Sequence, residues 1–261
     1  MTGLKPLDLA GARILITNDD GVHAPGIRVL EEIARTLSDD VWTVAPETEQ
    51  SATSHSLTVR RPLRLRQLEP RRHSVDGTPT DSVVVATAKV LADRKPDLVL
   101  SGINLGSNLA EDVTYSGTVA AAMEAALLGL PSIALSLNRR GDHDFRWQTP
   151  RAHAARVIRQ ICAVGFGQDT LVNVNFPDVE PDQVRGVRVV RQGRRDVQTE
   201  IVEGKDPGGR PYVWIGDYMR DEALSDDTDL AAIAEGYVSV TPLHLDLTAR
   251  DLMASLSGAF D

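Results

Sequence analysis

A single cysteine, Cys162, occurs in 261 residues. It excludes an intrachain disulfide and cysteine-rich zinc sites, and it suits a reducing compartment. Cys162 lies in an apolar helical pattern and reads as a small buried hydrophobe. Positive charge is also short: Lys+Arg number 28 against 37 Asp+Glu, a net charge of -9. The whole molecule therefore supplies no attraction to duplex nucleic acid or to an anionic membrane. The arginine pairs Arg60-Arg61, Arg71-Arg72, Arg139-Arg140 and Arg194-Arg195 are dispersed and read as solvated charges. No apolar run approaches the ~20 residues of a membrane span. Met1 to Gly11 lacks a basic segment followed by an apolar one, so the expected location is the cytoplasm. Internal repeats and low-complexity tracts are absent.

What is present is an alternation of short apolar runs and helical patterns. Arg13 to Thr17, Val41 to Ala45, Leu98 to Ser101 and Ser132 to Ser136 read as strands. Pro25 to Leu37, Asp81 to Leu91 and the Ala-rich Thr118 to Leu128 read as helices. The alternating Leu57, Val59, Leu63 and Leu65 predict a hairpin or edge strand. Continuously apolar strands joined by helices imply a parallel sheet covered on both faces. The first ~136 residues thus predict a Rossmann-like, doubly wound α/β core with a mostly parallel sheet. A helix over Arg151 to Val164 follows, then strands at Leu171 to Asn175 and Val187 to Val190. Gly193 to Thr228 is rich in Gly, Pro, Arg and Asp and holds a strand-like Tyr212 to Ile215; Tyr237 to Thr241 and Leu245 to Leu247 alternate like strands. The expected division is a core over residues 1–180 and a β-rich C-terminal excursion over residues 181–261, parts of which pack back on the core.

In such sheets ligands bind beyond the carboxyl ends of the strands, which directs attention to four loops. Thr17-Asn18-Asp19-Asp20-Gly21 places adjacent carboxylates after the first strand; they repel unless a cation compensates, although Asp20-Gly21 also suits a plain turn. The hydroxyl-rich loop from Pro46 to Ser56 contains Ser51 and leaves the next strand at the same sheet edge. Ser101 to Asn108 carries two glycines and offers the neutral amide oxygen of Asn104. Tyr115-Ser116-Gly117-Thr118 opens a helix, which serves either as an anion site or as an ordinary N-cap. Oxygen ligands with no clustered His or Cys suit Mg²⁺ or Mn²⁺ and argue against zinc. His23 and His55 lie in two of these loops and are weaker acid-base candidates.

At these residues the chain resembles the SurE family of stationary-phase survival proteins, which act as 5′/3′-nucleotidases. The matching stretches are ILITNDDGVHAPGI (Ile14 to Ile27), GTPTD (Gly77 to Asp81), PDLVLSGINLGSN (Pro96 to Asn108), YSGTVAAAME (Tyr115 to Glu124) and GYVSVTPLHLDLT (Gly236 to Thr248). The resemblance implies one divalent metal ion per subunit held by Asp19, Asp20, Ser51 and Asn104. It implies a phosphate site at Ser116, Gly117 and Thr118, with Asn108 as a further contact. It also implies a C-terminal portion exchanged between subunits of a homodimer or homotetramer. Gln50 stands where the family often has arginine, and His55 replaces a frequent asparagine.

The expected activity is a metal-dependent phosphomonoesterase acting on nucleoside 5′- and 3′-monophosphates, with Asp19 as general base or, second to that, as nucleophile. A Mg²⁺-dependent receiver-like switch is the alternative; it needs an acceptor aspartate after a later strand, where this chain has Asn104. A nucleotide-binding module, in its sharpest form a dinucleotide-binding oxidoreductase, is the other alternative, but Gly-x-Gly-x-x-Gly is missing after the first strand, and both alternatives fall well behind the phosphomonoesterase.

Overall fold

A computed structural model describes residues 3–141, 143–221 and 225–260. The chain opens with β1 (Arg13–Thr17), α1 (Pro25–Arg35) and β2 (Asp40–Pro46), followed by the hairpin β3 (Leu65–Glu69) and β4 (Arg72–Val75). Next come α2 (Pro79–Val85), continued by a π-helical turn over Ala86–Val90, then β5 (Leu98–Leu105), α3 (Asp112–Tyr115), α4 (Gly117–Leu127), β6 (Ser132–Leu137), α5 (Gln148–Val164) and β7 (Thr170–Phe176). The last third supplies β8 (Val187–Val189), β9 (Asp196–Lys205), β10 (Pro211–Asp221), α6 (Asp229–Ala234), β11 (Val238–His244) and α7 (Arg250–Phe260).

Nine strands form one sheet in the order β3-β4-β2-β1-β5-β6-β7-β11-β8. From β4 to β7 every neighbour is parallel, whereas β3 and β11 pair antiparallel at the two flanks. The fold is thus the α/β, Rossmann-like one that the apolar runs predict. Ile14, Leu15 and Ile16 of β1 are fully buried because successive side chains enter opposite layers. Ile14 and Ile16 pack with Ile27 and Leu30 of α1 and Ile158 of α5, while Leu15 packs with Val83 of α2 and Ala121 and Ala125 of α4. Burying each such aliphatic side chain stabilises the fold by roughly 1.5–3 kcal/mol. α1 starts on Pro25 and exposes Arg28, Glu32 and Arg35 opposite its buried face. The chain winds one way from β1 to β2 and the other way to β5, which places the switch point at the carboxyl ends of β1 and β5.

The structure departs from the sequence reading in four places. Residues 57–64 form no strand; Leu57 and Val59 are exposed, and the edge hairpin begins only at Leu65. The strand expected at Tyr212 to Ile215 runs from Pro211 to Asp221 and pairs with β9, whose mixed polar and apolar residues show no clean alternation. Residues 222–224 of that stretch lie outside the described residues. Leu245 to Leu247 is not a strand, because β11 is continuous to His244 and the chain then leaves the sheet toward α7. Helices α3, α6 and α7 carry no counterpart in the reading. β8 and β11 complete the main sheet, and β9 with β10 forms a separate two-stranded ribbon. No described helix is long and apolar enough to cross a membrane.

Candidate active site

The end of β1 turns sharply at Asn18, whose Nδ2 donates to the Gly21 carbonyl at 2.9 Å. Gly21 adopts φ +98°, a conformation that favours glycine. The turn delivers two consecutive carboxylates to the switch point: Asp19, only 4% exposed, and Asp20, half-buried. No arginine, lysine or histidine forms an ion pair with either among the described residues.

The other three loops close around this pair. The N–H of Gln50 donates to the Asp19 carbonyl and the N–H of Val22 to the Pro46 carbonyl, both at 2.8 Å, which fastens the polar loop onto the acidic one. Leu105 N–H donates to Asp20 Oδ2 at 3.2 Å, bringing in the end of β5. From the far side the Thr118 hydroxyl donates to Asp19 Oδ1. Gly117 is obligatory there, since a Cβ on it would lie 2.8 Å from Asp19 Cβ. The N-terminus of α4 therefore bears directly on the Asp19 carboxylate.

Electrostatics follow from this packing. Burial pushes the Asp19 carboxyl up from its ordinary value, opposed by the Thr118 hydroxyl and by the backbone N–H groups of Asp19 and Thr118. Burial, then the neighbouring Asp19 charge, pushes Asp20 up to about 7, against the Leu105 N–H. Glu49 adds negative charge to both. The sequence reading assigns Glu49 no role, although it lies in the Pro46 to Ser56 loop two residues before Ser51.

The remaining candidates are placed as follows. Ser51 is exposed and donates its hydroxyl to Glu49 Oε1 at 2.8 Å. Asn104 lies within β5 rather than after it, just past the irregular register at Ser101, and its Nδ2 donates to the Gly106 carbonyl at 2.9 Å. That leaves the Asn104 amide oxygen without a hydrogen bond among the described residues. Ser116 caps α4, its Oγ accepting from Val119 N–H at 3.1 Å. Asn108 is buried and heavily engaged: its N–H donates to Asn175 Oδ1 and its Nδ2 to Ser136 Oγ, both at 2.8 Å. Its carbonyl accepts from Asn173 and Asn175. These three partners escaped the sequence reading, although polar residues inside the apolar strands SIALSL and TLVNVNF were a legible signal. His23 is exposed, and His55 Nε2 lies 2.9 Å from Glu124 Oε2 on α4, tying the polar loop to that helix.

The donors suit a hard cation. Two carboxylates stand beside hydroxyl and amide oxygens, and Thr17 Oγ1, Asn18 Oδ1 and Ser101 Oγ at the same strand ends are buried without partners among the described residues. No group of three or more His, Cys, Asp or Glu placed to hold a metal ion occurs among the described residues, so the set is oxygen-rich but only doubly acidic at its centre.

Comparison with known proteins bears on the fold and the family. A family model described as survival protein SurE matches residues 14–199. A protein named 5′-nucleotidase SurE from Paramagnetospirillum magneticum is 56% identical over 260 residues, covering 100% of both chains. Another of that name, from Erythrobacter litoralis, is 53% identical and covers 95% of this chain and 100% of its own. The crystal structure of a SurE protein from Aquifex aeolicus superimposes with a TM-score of 0.83 at 40% identity, over 95% of this chain and 100% of that one.

Proposed function

The chain belongs to the SurE family, and from its site we propose that it is a divalent-metal-dependent phosphomonoesterase that hydrolyses nucleoside 5′- and 3′-monophosphates to nucleoside and phosphate. The observation that carries this reading is the Asp19-Asp20 pair, the first buried and the second half-buried, uncompensated by any described basic side chain and set against the N-terminus of α4. Relatives more than half identical over nearly the whole chain carry the name 5′-nucleotidase, which supports the substrate class.

In this reading Asp19, Asp20, Ser51 and Asn104 hold one Mg²⁺ or Mn²⁺ per subunit. What the ion supplies when bound is Lewis acidity toward water and the phosphoryl oxygens. Asp19 stands where it accepts the proton of the attacking water, the role of a general base. Thr118 orients Asp19 through its hydroxyl. The backbone N–H groups opening α4, from Gly117 and Thr118, with Ser116 and Asn108, receive the phosphate, as the positive end of a helix does. We further place the protein in the cytoplasm as a homodimer or homotetramer. Exposed Ile201, Val202, Val213, Trp214 and Ile215 on the β9-β10 ribbon, and Leu252 and Phe260 on α7, are apolar surface of the kind that subunits cover.

The test is phosphate release from a panel of 5′- and 3′-mononucleotides after exhaustive EDTA treatment, with and without restored Mn²⁺ or Mg²⁺. Release that depends on the restored ion is expected. Full activity after chelation sinks the metal mechanism, and no release from any mononucleotide sinks the substrate class.

A further inference from the structure

The segment that joins the β5 loop to α4 is held from outside the core. Ala110 has φ +49°, unusual for a residue with a Cβ, and both its backbone groups are fixed by the last third of the chain. Its N–H donates to Asp229 Oδ2 at 2.9 Å, and its carbonyl accepts from Gln192 Nε2 at 2.7 Å. Asp229 is fully buried, and its other oxygen accepts from Gly193 N–H at 2.8 Å. The principal fastening is Arg195, the residue before β9, whose side chain is 5% exposed. Its guanidinium forks onto Asp112, with Nη1 on Oδ1 and Nη2 on Oδ2, both at 3.1 Å. It also donates to the Leu109 carbonyl at 3.2 Å and lies 3.5 Å from Glu111 Oε2, while its backbone N–H donates to Glu111 Oε1.

The carboxylate that Arg195 grips stands at the head of the elements that build the site. Asp112 opens α3, and its carbonyl accepts from Ser116 N–H at 2.9 Å. The Thr114 and Tyr115 carbonyls at the end of α3 accept from the Ser54 hydroxyl and N–H. One short helix thus sets both the start of α4, which bears on Asp19, and the hydroxyl loop that carries Ser51.

We propose that Arg195 is a positioning residue of the active site. Its bidentate grip on Asp112 holds α3, and through α3 it fixes the start of α4 against Asp19. Because Arg195 is also the root of the β9-β10 ribbon, the grip mechanically joins that arm to the reacting centre. A buried guanidinium facing two carboxylates and a carbonyl makes a rigid joint, because releasing it leaves charge unpaired in the interior. The inference rests on the phosphomonoesterase reading for its kinetic consequence but not for its structural one.

The full chain is compared as wild type, Arg195→Met, Arg195→Lys and Arg194→Ala, the last replacing an exposed neighbour. For each, kcat and KM for a mononucleotide with Mn²⁺ are measured together with backbone amide exchange over residues 109–120. Displacing a reacting group by a fraction of an ångström costs about ten- to a hundredfold. Arg195→Met is therefore expected to lose kcat by that factor, with a smaller change in KM, and to lose exchange protection at the start of α4. Arg195→Lys should recover part of kcat, and Arg194→Ala should match wild type in both readouts. If Arg195→Met fails to fold, Arg195→Lys and Asp112→Asn carry the same comparison. Unchanged exchange at 116–120, or kcat within twofold of wild type in a folded variant with lowered Tm, overturns the positioning role and leaves a structural staple. An inactive wild type instead defeats the phosphomonoesterase reading, and the exchange data still decide whether Arg195 holds α4.

Discussion

Two acidic pairs flank α3 and α4, and they are built in opposite ways. Glu111 and Asp112 face a buried arginine that satisfies both. Asp19 and Asp20 face one another, with a hydroxyl, backbone N–H groups and Glu49 around them, and no described basic side chain answers their charge. The first arrangement is complete in itself and holds the chain in place. The second is costly as it stands, because burial and mutual repulsion both oppose ionisation, and the cost is relieved when a cation arrives. Identical side-chain chemistry thus gives a closed ion-pair joint in one place and, in the other, the proposed cation site, and the difference lies in whether a described basic side chain answers the charge.

The largest effect expected from breaking this contrast is on Asp19. Asp19→Asn removes charge from the cation and the proposed proton acceptor together, and kcat should fall by on the order of 10²- to 10⁴-fold. The variant should still fold, since the asparagine relieves repulsion; steady-state kinetics beside circular dichroism check both points. Next comes Asp112→Asn, which strips one carboxylate from Arg195. It should destabilise the protein by about 1–3 kcal/mol, read as a lower Tm, because a buried donor group loses its partner. Smaller again is Thr118→Val, which keeps the shape of a fully buried side chain and deletes the hydroxyl on Asp19. One hydrogen bond of about 1 kcal/mol corresponds to roughly a fivefold loss. Because the hydroxyl donates to Asp19, that loss is expected on kcat; a rise in KM instead assigns the hydroxyl to the phosphate.

The order of the core elements was legible in the sequence because each buried strand of the core is a short apolar run and α1, α2 and α4 open on Pro, Thr or Ser. The four site loops were legible because they follow those strands. Several partnerships were not. Thr118 lies 99 residues from the carboxylate it serves, and its presence at a helix start reads locally as a cap or an anion contact. Arg195 belongs to a charge pair in Arg194-Arg195 that reads as solvated, yet one member is among the most buried charges of the chain. β9 mixes polar residues with Val197, Ile201 and Val202 and is paired by β10 alone, so no clean local periodicity marks it. Propensity and spacing report neighbours along the chain, whereas these features arise between segments 80 or more residues apart or, in β9, from a single cross-strand partner.

The smallest expected effect concerns stability and pH in the metal-free protein. In the folded chain Asp20 titrates near 7, against about 3.8 ordinarily. Between those values the folded state binds more protons than the unfolded one, so stability falls as pH rises through the window. Tm of the chelated protein should therefore climb as pH is lowered from about 8 to about 6. Asp20→Asn should flatten that climb and raise Tm at pH 8 by about 2–4 °C per kcal/mol relieved. A Tm at pH 8 below that of wild type counts against the unrelieved repulsion.

The central claim is that the Asp19-Asp20 pair lacks its counter-charge within the chain and takes it from a divalent ion. Calorimetric titration of Mn²⁺ into the chelator-stripped protein at pH 8 measures this directly, for wild type, Asp19→Asn, Asp20→Asn and Asp112→Asn. The account predicts one ion per chain for wild type and for Asp112→Asn, and loss of binding in both Asp19→Asn and Asp20→Asn. Equal stoichiometry and affinity in all four proteins would contradict it.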